Sequence, residues 1–165
     1  MNEFASTRLL IVDDDPAHRT MLRTLLSAWG ANTDEAADGG TAIALCRTHP
    51  YDLILMDVQM PEVNGIAALQ AIKSYNPSIP ILIMTAYSNV ESAVDALKSG
   101  AYDYLSKPLD FDVLRLTLKR ALDHSSLRHE NQHLREQLGS FDSGGIIGSS
   151  PAMKKLMEML IMVAP

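Results

Sequence analysis

A single cysteine, Cys46, occurs among the 165 residues. One thiol cannot close an intramolecular disulfide, which excludes a cross-linked secreted scaffold and points to a reducing compartment. Positive charge is also short: 14 Lys and Arg stand against 20 Asp and Glu, a formal net charge of −6. That balance argues against a surface built mainly for nucleic-acid phosphates. No apolar run approaches the roughly 20 residues of a membrane span, and the N-terminus has no apolar signal-peptide region. The expectation is a soluble, cytoplasmic protein that touches neither membrane nor nucleic acid through this segment. Apolar residues, by contrast, are plentiful at 47%, enough for a real core, and the length suits one domain with something attached.

Short apolar runs alternate with longer amphipathic ones. Arg8–Val12, Leu53–Met56 and Ile81–Met84 read as strands buried on both faces, the mark of a parallel sheet. Asn32–Ala36 and Tyr102–Leu105 are weaker strand candidates. Helical patterns lie between them near Pro16–Trp29, Gly39–Arg47, Gly65–Tyr75 and Val90–Ser99, and a fifth begins near Phe111. Five repeats of strand then helix predict a doubly wound α/β domain with a five-stranded parallel sheet.

The stretch RLLIVDDDPAHR places three carboxylates at the exit of the first strand. Like charges about 4 Å apart repel by roughly 4 kcal/mol at an effective dielectric near 20, so core folding alone does not account for them. Asp15 before Pro16 fits a helix N-cap followed by proline at the first helical position. Asp13 and Asp14 are left over. In a doubly wound sheet, ligands sit outside the carboxyl ends of the strands, and there the sequence puts Asp13 and Asp14, Asp57, Thr85 and Lys107. Three carboxylates form a pocket of hard oxygen ligands whose repulsion Mg²⁺ relieves while leaving places for phosphoryl oxygens. An Asp carboxylate is also a nucleophile for a phosphoryl group. The Thr85 hydroxyl and the Lys107 amine are suited to its oxygens, since phosphoryl transfer asks mainly for positioning and charge stabilisation.

The segments LIVDDD, LILMDVQMPEVNG, ILIMTAY and GAYDYLSKP, in this order and spacing, resemble the receiver domains of two-component response regulators over about residues 8–122. The resemblance implies the flavodoxin-like strand order 2-1-3-4-5. It makes Asp57 the phosphoacceptor, loaded from the phosphohistidine of a sensor histidine kinase, and implies Mg²⁺ held by Asp13, Asp14, Asp57 and the backbone carbonyl of Gln59. Thr85 and Lys107 then read the phosphoryl group, and Tyr104 is the switch aromatic. A cis peptide between Lys107 and Pro108 is implied, as is a path for the attacking water bordered by Gln59 and Tyr87. The receiver is expected to be no enzyme toward other substrates, catalysing only its own phosphorylation and dephosphorylation.

After Ala121 the composition turns polar. No proline or glycine interrupts the chain from Phe111 until Gly139, which predicts an extended helix to Leu138 that breaks at Gly139–Ser140 and Gly144–Gly145. Leu127, Asn131, Leu134 and Leu138 follow in the 4-3-4 spacing of a coiled-coil seam, which predicts a homodimer through this helix, assisted by the receiver face. The tail IIGSSPAMKKLM, with VAP after it, resembles the opening of the AAA+ domain in NtrC-like, sigma-54-dependent transcriptional activators. The chain thus reads as a receiver over 1–123, a helical linker and joint over 124–145, and the start of an ATPase domain over 146–165. No G-x-x-x-x-G-K-[ST] occurs, so ATP hydrolysis and contacts to sigma-54 RNA polymerase and DNA are expected of further segments.

Three other features have plainer readings. HENQH over His129–His133 matches the zinc-protease pattern H-E-x-x-H but lies in a polar linker without a third ligand or cleft. His18 and His49 are expected on solvated helix faces, and Met60 and Met84 in the core. Two rival functions are a Mg²⁺-dependent phosphatase using an aspartyl-phosphate and a dimerisation module with an idle acidic site. The first places its carboxylates as D-x-D after the first strand, unlike this chain, and the intact Thr85 and Lys107 argue against the second.

Overall fold

The computed structural model describes residues 3–86 and 90–142. Five strands, β1 (Arg8–Val12), β2 (Asn32–Ala36), β3 (Leu53–Asp57), β4 (Ile81–Thr85) and β5 (Asp103–Ser106), alternate with helices α1 (Pro16–Ala28), α2 (Gly39–Thr48), α3 (Gly65–Tyr75), α4 (Val90–Lys98) and α5 (Phe111–Asp142). All strand pairs are parallel, and the order across the sheet is β2-β1-β3-β4-β5, as the resemblance implied. The chain groups into two units, Met1–Arg128 and His129–Pro165, and the whole sheet lies in the first.

The near-continuous apolar runs of β1, β3 and β4 follow from cover on both faces. Successive side chains alternate sides. Leu10, Val12, Ile54, Met56, Ile81 and Ile83 pack in one layer with Ala42 of α2, Leu69 and Ile72 of α3 and Ala96 of α4. Leu9, Ile11, Leu53, Leu55, Leu82 and Met84 form the other with Leu22 and Leu26 of α1 and Leu114 and Leu118 of α5. Met60 belongs to the first layer, so both methionines expected in the core are there. Each buried side chain of this size contributes about 1.5–3 kcal/mol, and the three central strands concentrate that gain beneath the site.

Local chemistry sets the helix starts. Asp15, Asp38 and Asn64 are N-caps in extended conformation, accepting from the backbone N–H of Ala17, Thr41 and Ala67. Gly30 (φ 97°) follows α1 and Gly100 (φ 98°) follows α4, the left-handed conformation that glycine supplies after a helix.

Several boundaries differ from the sequence reading. β3 and β4 each run one residue past their apolar runs, so Asp57 and Thr85 are strand residues, paired with Met84 and Ser106. The ladder is a backbone structure: the Lys107 N–H donates to the Thr85 carbonyl at 2.7 Å whatever side chain Thr85 carries. β5 begins at Asp103 and not Tyr102. The expected break at Gly139–Ser140 is absent, for α5 continues to Asp142; an interior glycine costs about 1 kcal/mol in a helix and does not by itself end one.

Gly65 is required by a close approach. Its N–H donates to the Val58 carbonyl at 3.0 Å, and a Cβ at this position would lie 2.0 Å from the carbonyl oxygen of Asp57. The start of α3 therefore rests directly on the end of β3. Gly65→Ala is expected to destabilise the protein by roughly 1–3 kcal/mol through overpacking, read as a lower urea midpoint. An unchanged midpoint would contradict this contact.

Candidate functional site

The sheet delivers four of the sequence-predicted residues to one edge. Asp13 leaves β1 with its N–H on the Ala36 carbonyl at 3.2 Å, and its side chain is fully buried. Asp57, at the end of β3, is 6% exposed, whereas Asp14 is open to solvent. One carboxylate oxygen from each of the three lies within 4.8 Å of the others. Lys107, just past β5, reaches in from the other side. Its Nζ is 2.8 Å from Asp13 Oδ2 and 2.5 Å from Asp57 Oδ2. The Lys107–Pro108 peptide is cis, as expected.

These contacts set the charges. Burial favours the neutral form of Asp13, but hydrogen bonds from His18, Lys107 and the Asp15 N–H outweigh it and hold the carboxyl down at about 2. Burial likewise opposes the charge on Lys107, and its bonds to Asp13 and Asp57 prevail and raise its pKa. The result is an ammonium clamped between carboxylates. The candidate side-chain ligands are all carboxylate oxygens, a hard donor set that suits Mg²⁺ and has no soft or nitrogen ligand to favour a transition metal.

His18 departs from the sequence reading. It does not face solvent: its side chain is 16% exposed, and Nδ1 lies 2.5 Å from Asp13 Oδ2. With Asp15 as N-cap, His18 is the third helical residue, a position whose side chain points back toward the N-terminus and can reach groups before the helix. Arg19 beside it donates to the backbone carbonyls of Asp13 (2.6 Å) and Asp14 (3.2 Å) and pairs with Glu35 of β2 at 3.3 Å. The signal in the sequence was therefore the offset from the cap, since hydropathy ranks both residues as surface.

The remaining residues fall as follows. Thr85, 3% exposed, ends β4 beside the strand of Asp57. Tyr104 in β5 is partly buried against the layer that includes Ile83 and Ala96. The Gln59 N–H donates to Asp57 Oδ1 at 3.1 Å, a contact the sequence did not suggest. Tyr87 lies outside the described residues, as do the tail over 146–165 and the side chains of His129 and Leu138. His49, Glu130 and His133 are exposed. Among the described residues, Asp13, Asp14 and Asp57 are the only group of three or more His, Cys, Asp or Glu arranged to hold a metal ion, and no buried side-chain nitrogen or oxygen lacks a hydrogen-bond partner.

Comparison with known proteins places these observations in a family. Residues 9–119 match the family model described as response regulator receiver domain. The transcriptional regulatory protein ZraR of Salmonella typhimurium is 52% identical over 157 residues, covering 95% of this chain and 35% of that protein. The DNA-binding transcriptional regulator NtrC of Klebsiella pneumoniae is 35% identical over 150 residues, covering 91% of this chain and 31% of that protein. Among solved structures, the receiver domain of the Francisella response regulator 1452 superimposes with a TM-score of 0.70 at 32% identity, covering 73% of this chain and 99% of that one. The chain spans about a third of the length of the curated relatives it matches.

The Asp13 carboxyl, lowered from 3.8 to about 2, links the site to stability. Because the folded value lies below the unfolded one, this contribution is fully present above pH 3.8 and is lost as the pH falls through about 2. A shift of this size corresponds to about 2 kcal/mol. Chemical denaturation of the wild type and Asp13→Asn between these pH values is expected to show a loss smaller by that amount in the variant. Parallel curves would contradict the assignment.

Proposed function

From the premise that this chain belongs to the response regulator receiver family, we propose that its acidic edge accepts a phosphoryl group on Asp57 and converts it into a conformational signal. The observation that carries this reading is the convergence of the Lys107 amine on Asp13 and Asp57 at the carboxyl edge of the sheet. An ammonium so placed is poised to pass from the carboxylates to the oxygens of an incoming phosphoryl group. Asp57 attacks phosphorus, the P–N bond of a sensor kinase's phosphohistidine breaks as the new P–O bond forms, and the imidazole leaves with the electron pair. Asp13, Asp14, Asp57 and the carbonyl of Gln59 are the residues to hold Mg²⁺. When bound, the ion supplies positive charge against the clustered carboxylate and phosphoryl oxygens.

Thr85 and Tyr104 form the switch in this proposal. The hydroxyl of Thr85 moves toward the phosphoryl oxygens, and the Tyr104 ring follows into the vacated space, biasing the face made of α4, β5 and α5. Support comes from position: Thr85 is buried at the end of β4, and Tyr104 pairs with Ile83 on the adjoining strand. Gln59 and Tyr87 border the attacking water and set the phosphoryl lifetime.

The organisation proposed for the chain is a receiver over 1–123, a linker over 124–145 and the start of an AAA+ domain over 146–165, in a sigma-54-dependent activator of NtrC type working in the cytoplasm. Both curated relatives are transcriptional regulators and match more than nine-tenths of this chain, which supports a transcriptional role. The chemistry of this segment is confined to its own phosphorylation and dephosphorylation; ATP hydrolysis, polymerase contact and DNA binding belong to the rest of such a protein. Phosphorylation controls oligomerisation through a homodimer formed along α5. Leu127 and Leu134, on the proposed seam, are exposed in the single chain, as residues awaiting a partner helix are.

Two experiments test these readings. Incubation with a small-molecule phosphodonor and Mg²⁺ is expected to label the wild type with hydroxylamine-sensitive phosphate and to leave Asp57→Asn unlabelled; undiminished labelling of the variant would exclude Asp57. In light scattering at tens of micromolar, the wild type is expected to be dimeric and Leu134→Asp, which places a charge on the apolar seam, monomeric. A monomeric wild type or an equally dimeric variant would end the seam proposal.

A further inference from the structure

We infer that His18 is a positioning residue of the phosphoacceptor site, holding the Asp13 carboxylate in place while Lys107 turns from it to an incoming phosphoryl oxygen. Three donors converge on Asp13. The Asp15 N–H meets Oδ1 at 2.9 Å, and Oδ2 takes both His18 Nδ1 at 2.5 Å and Lys107 Nζ at 2.8 Å. Only one of the three must move in the proposed reaction. Lys107 also serves Asp57, and each new bond it makes to a phosphoryl oxygen weakens its hold on Asp13. A fully buried carboxylate left without its cation is costly. A second donor already on the same oxygen lowers that cost and so releases the lysine.

The direction of the His18 bond follows from charge. An ionised carboxylate has no proton to give, so the proton of the pair sits on Nδ1 and the imidazole donates. His18 is not needed to start its helix, because Asp15 already caps it by accepting from the Ala17 N–H at 2.9 Å. The loop is gripped at a second level as well. Arg19 donates to the Asp13 and Asp14 carbonyls, so the first turn of α1 restrains the backbone of the acidic pair while His18 restrains the side chain. Donors of this kind behind a ligating carboxylate fix its orientation, and their loss commonly weakens metal affinity 10- to 100-fold.

This inference rests on the proposed phosphoacceptor function, and the test separates the two. Calorimetric titration with Mg²⁺ alone, and phosphodonor labelling of Asp57, are compared for the full chain as wild type, His18→Ala and His18→Asn. The Asn amide nitrogen occupies nearly the place of Nδ1 and can still donate. His18→Ala is expected to bind Mg²⁺ about tenfold more weakly or worse and to label more slowly, with His18→Asn recovering most of both. If His18→Ala does not fold, His18→Leu, matched in size to Asn, supplies the same comparison. Values for the Ala or Leu variant within about twofold of wild type, or an Asn variant no better than Ala or Leu, would overturn the role of His18 alone. A wild type that neither binds Mg²⁺ nor labels would remove the phosphoacceptor reading and this inference with it.

Discussion

Lys107 places one positive charge between two carboxylates that the sheet holds almost entirely out of water. Everything at this edge is arranged around that contact. Asp13 and Asp57 lie at the ends of β1 and β3, which are neighbours in the sheet, so the backbone ladder sets their separation before any side chain acts. Lys107 comes from beyond β5, two strands further along, and spans the gap with its long stem. Removing either partner of such a buried pair leaves an uncompensated charge, which is why one-sided changes here cost far more than the pair itself contributes.

The packing beneath the site explains how it tolerates so much like charge. β1, β3 and β4 are covered on both faces, and their apolar layers interdigitate with all five helices. The strand ends therefore cannot move apart to relieve repulsion among Asp13, Asp14 and Asp57. The contact of Gly65 with the Asp57 carbonyl fixes the end of β3 from the far side. Repulsion is met instead by the charge of Lys107 at the centre and of Arg19 at the margin of α1, and by the hydrogen bond of His18 to Asp13. A site balanced in this way is sensitive to a new anion: in the proposed reaction, a phosphoryl group on Asp57 competes for the same lysine.

That competition supplies a physical route from chemistry to shape. The Thr85 carbonyl accepts from the Lys107 N–H, so the backbone that carries the lysine is tied to the strand that carries the threonine. Tyr104 lies on the next strand, paired with the residue two before Thr85. In the proposed switch, a shift of charge at Asp57 has one hydrogen bond and one strand pair to cross to the outer strand. Two states of that strand and its flanking helices suffice for a switch, and α5 extends from this region to Asp142.

The elements and their order were legible in the chain itself, because strands buried on both faces must be continuously apolar and the helices between them must show a 3.6-residue period. The Asp15–Pro16 cap marked the start of α1 for local reasons that do not depend on the rest of the fold. Asp13, Asp57 and Thr85 stood out because each ends one of the three central apolar runs where a parallel sheet presents its carboxyl edge. Their roles became specific through family resemblance, not through composition or period. The ends of β3 and β4 were misplaced by one residue because the backbone ladder continues under a polar side chain, and the break expected at Gly139 failed because one glycine is a small penalty in a long helix. His18 and Arg19 could not be recognised from hydropathy, since their partners are a buried carboxylate and two loop carbonyls. Those contacts exist only once α1 docks against the sheet and its third and fourth residues fold back over the acidic loop. Pattern and propensity act along the chain and can be read there; the meeting of Lys107 with Asp13 and Asp57, across 94 and 50 residues of sequence, is a product of strand order, which long-range packing alone decides.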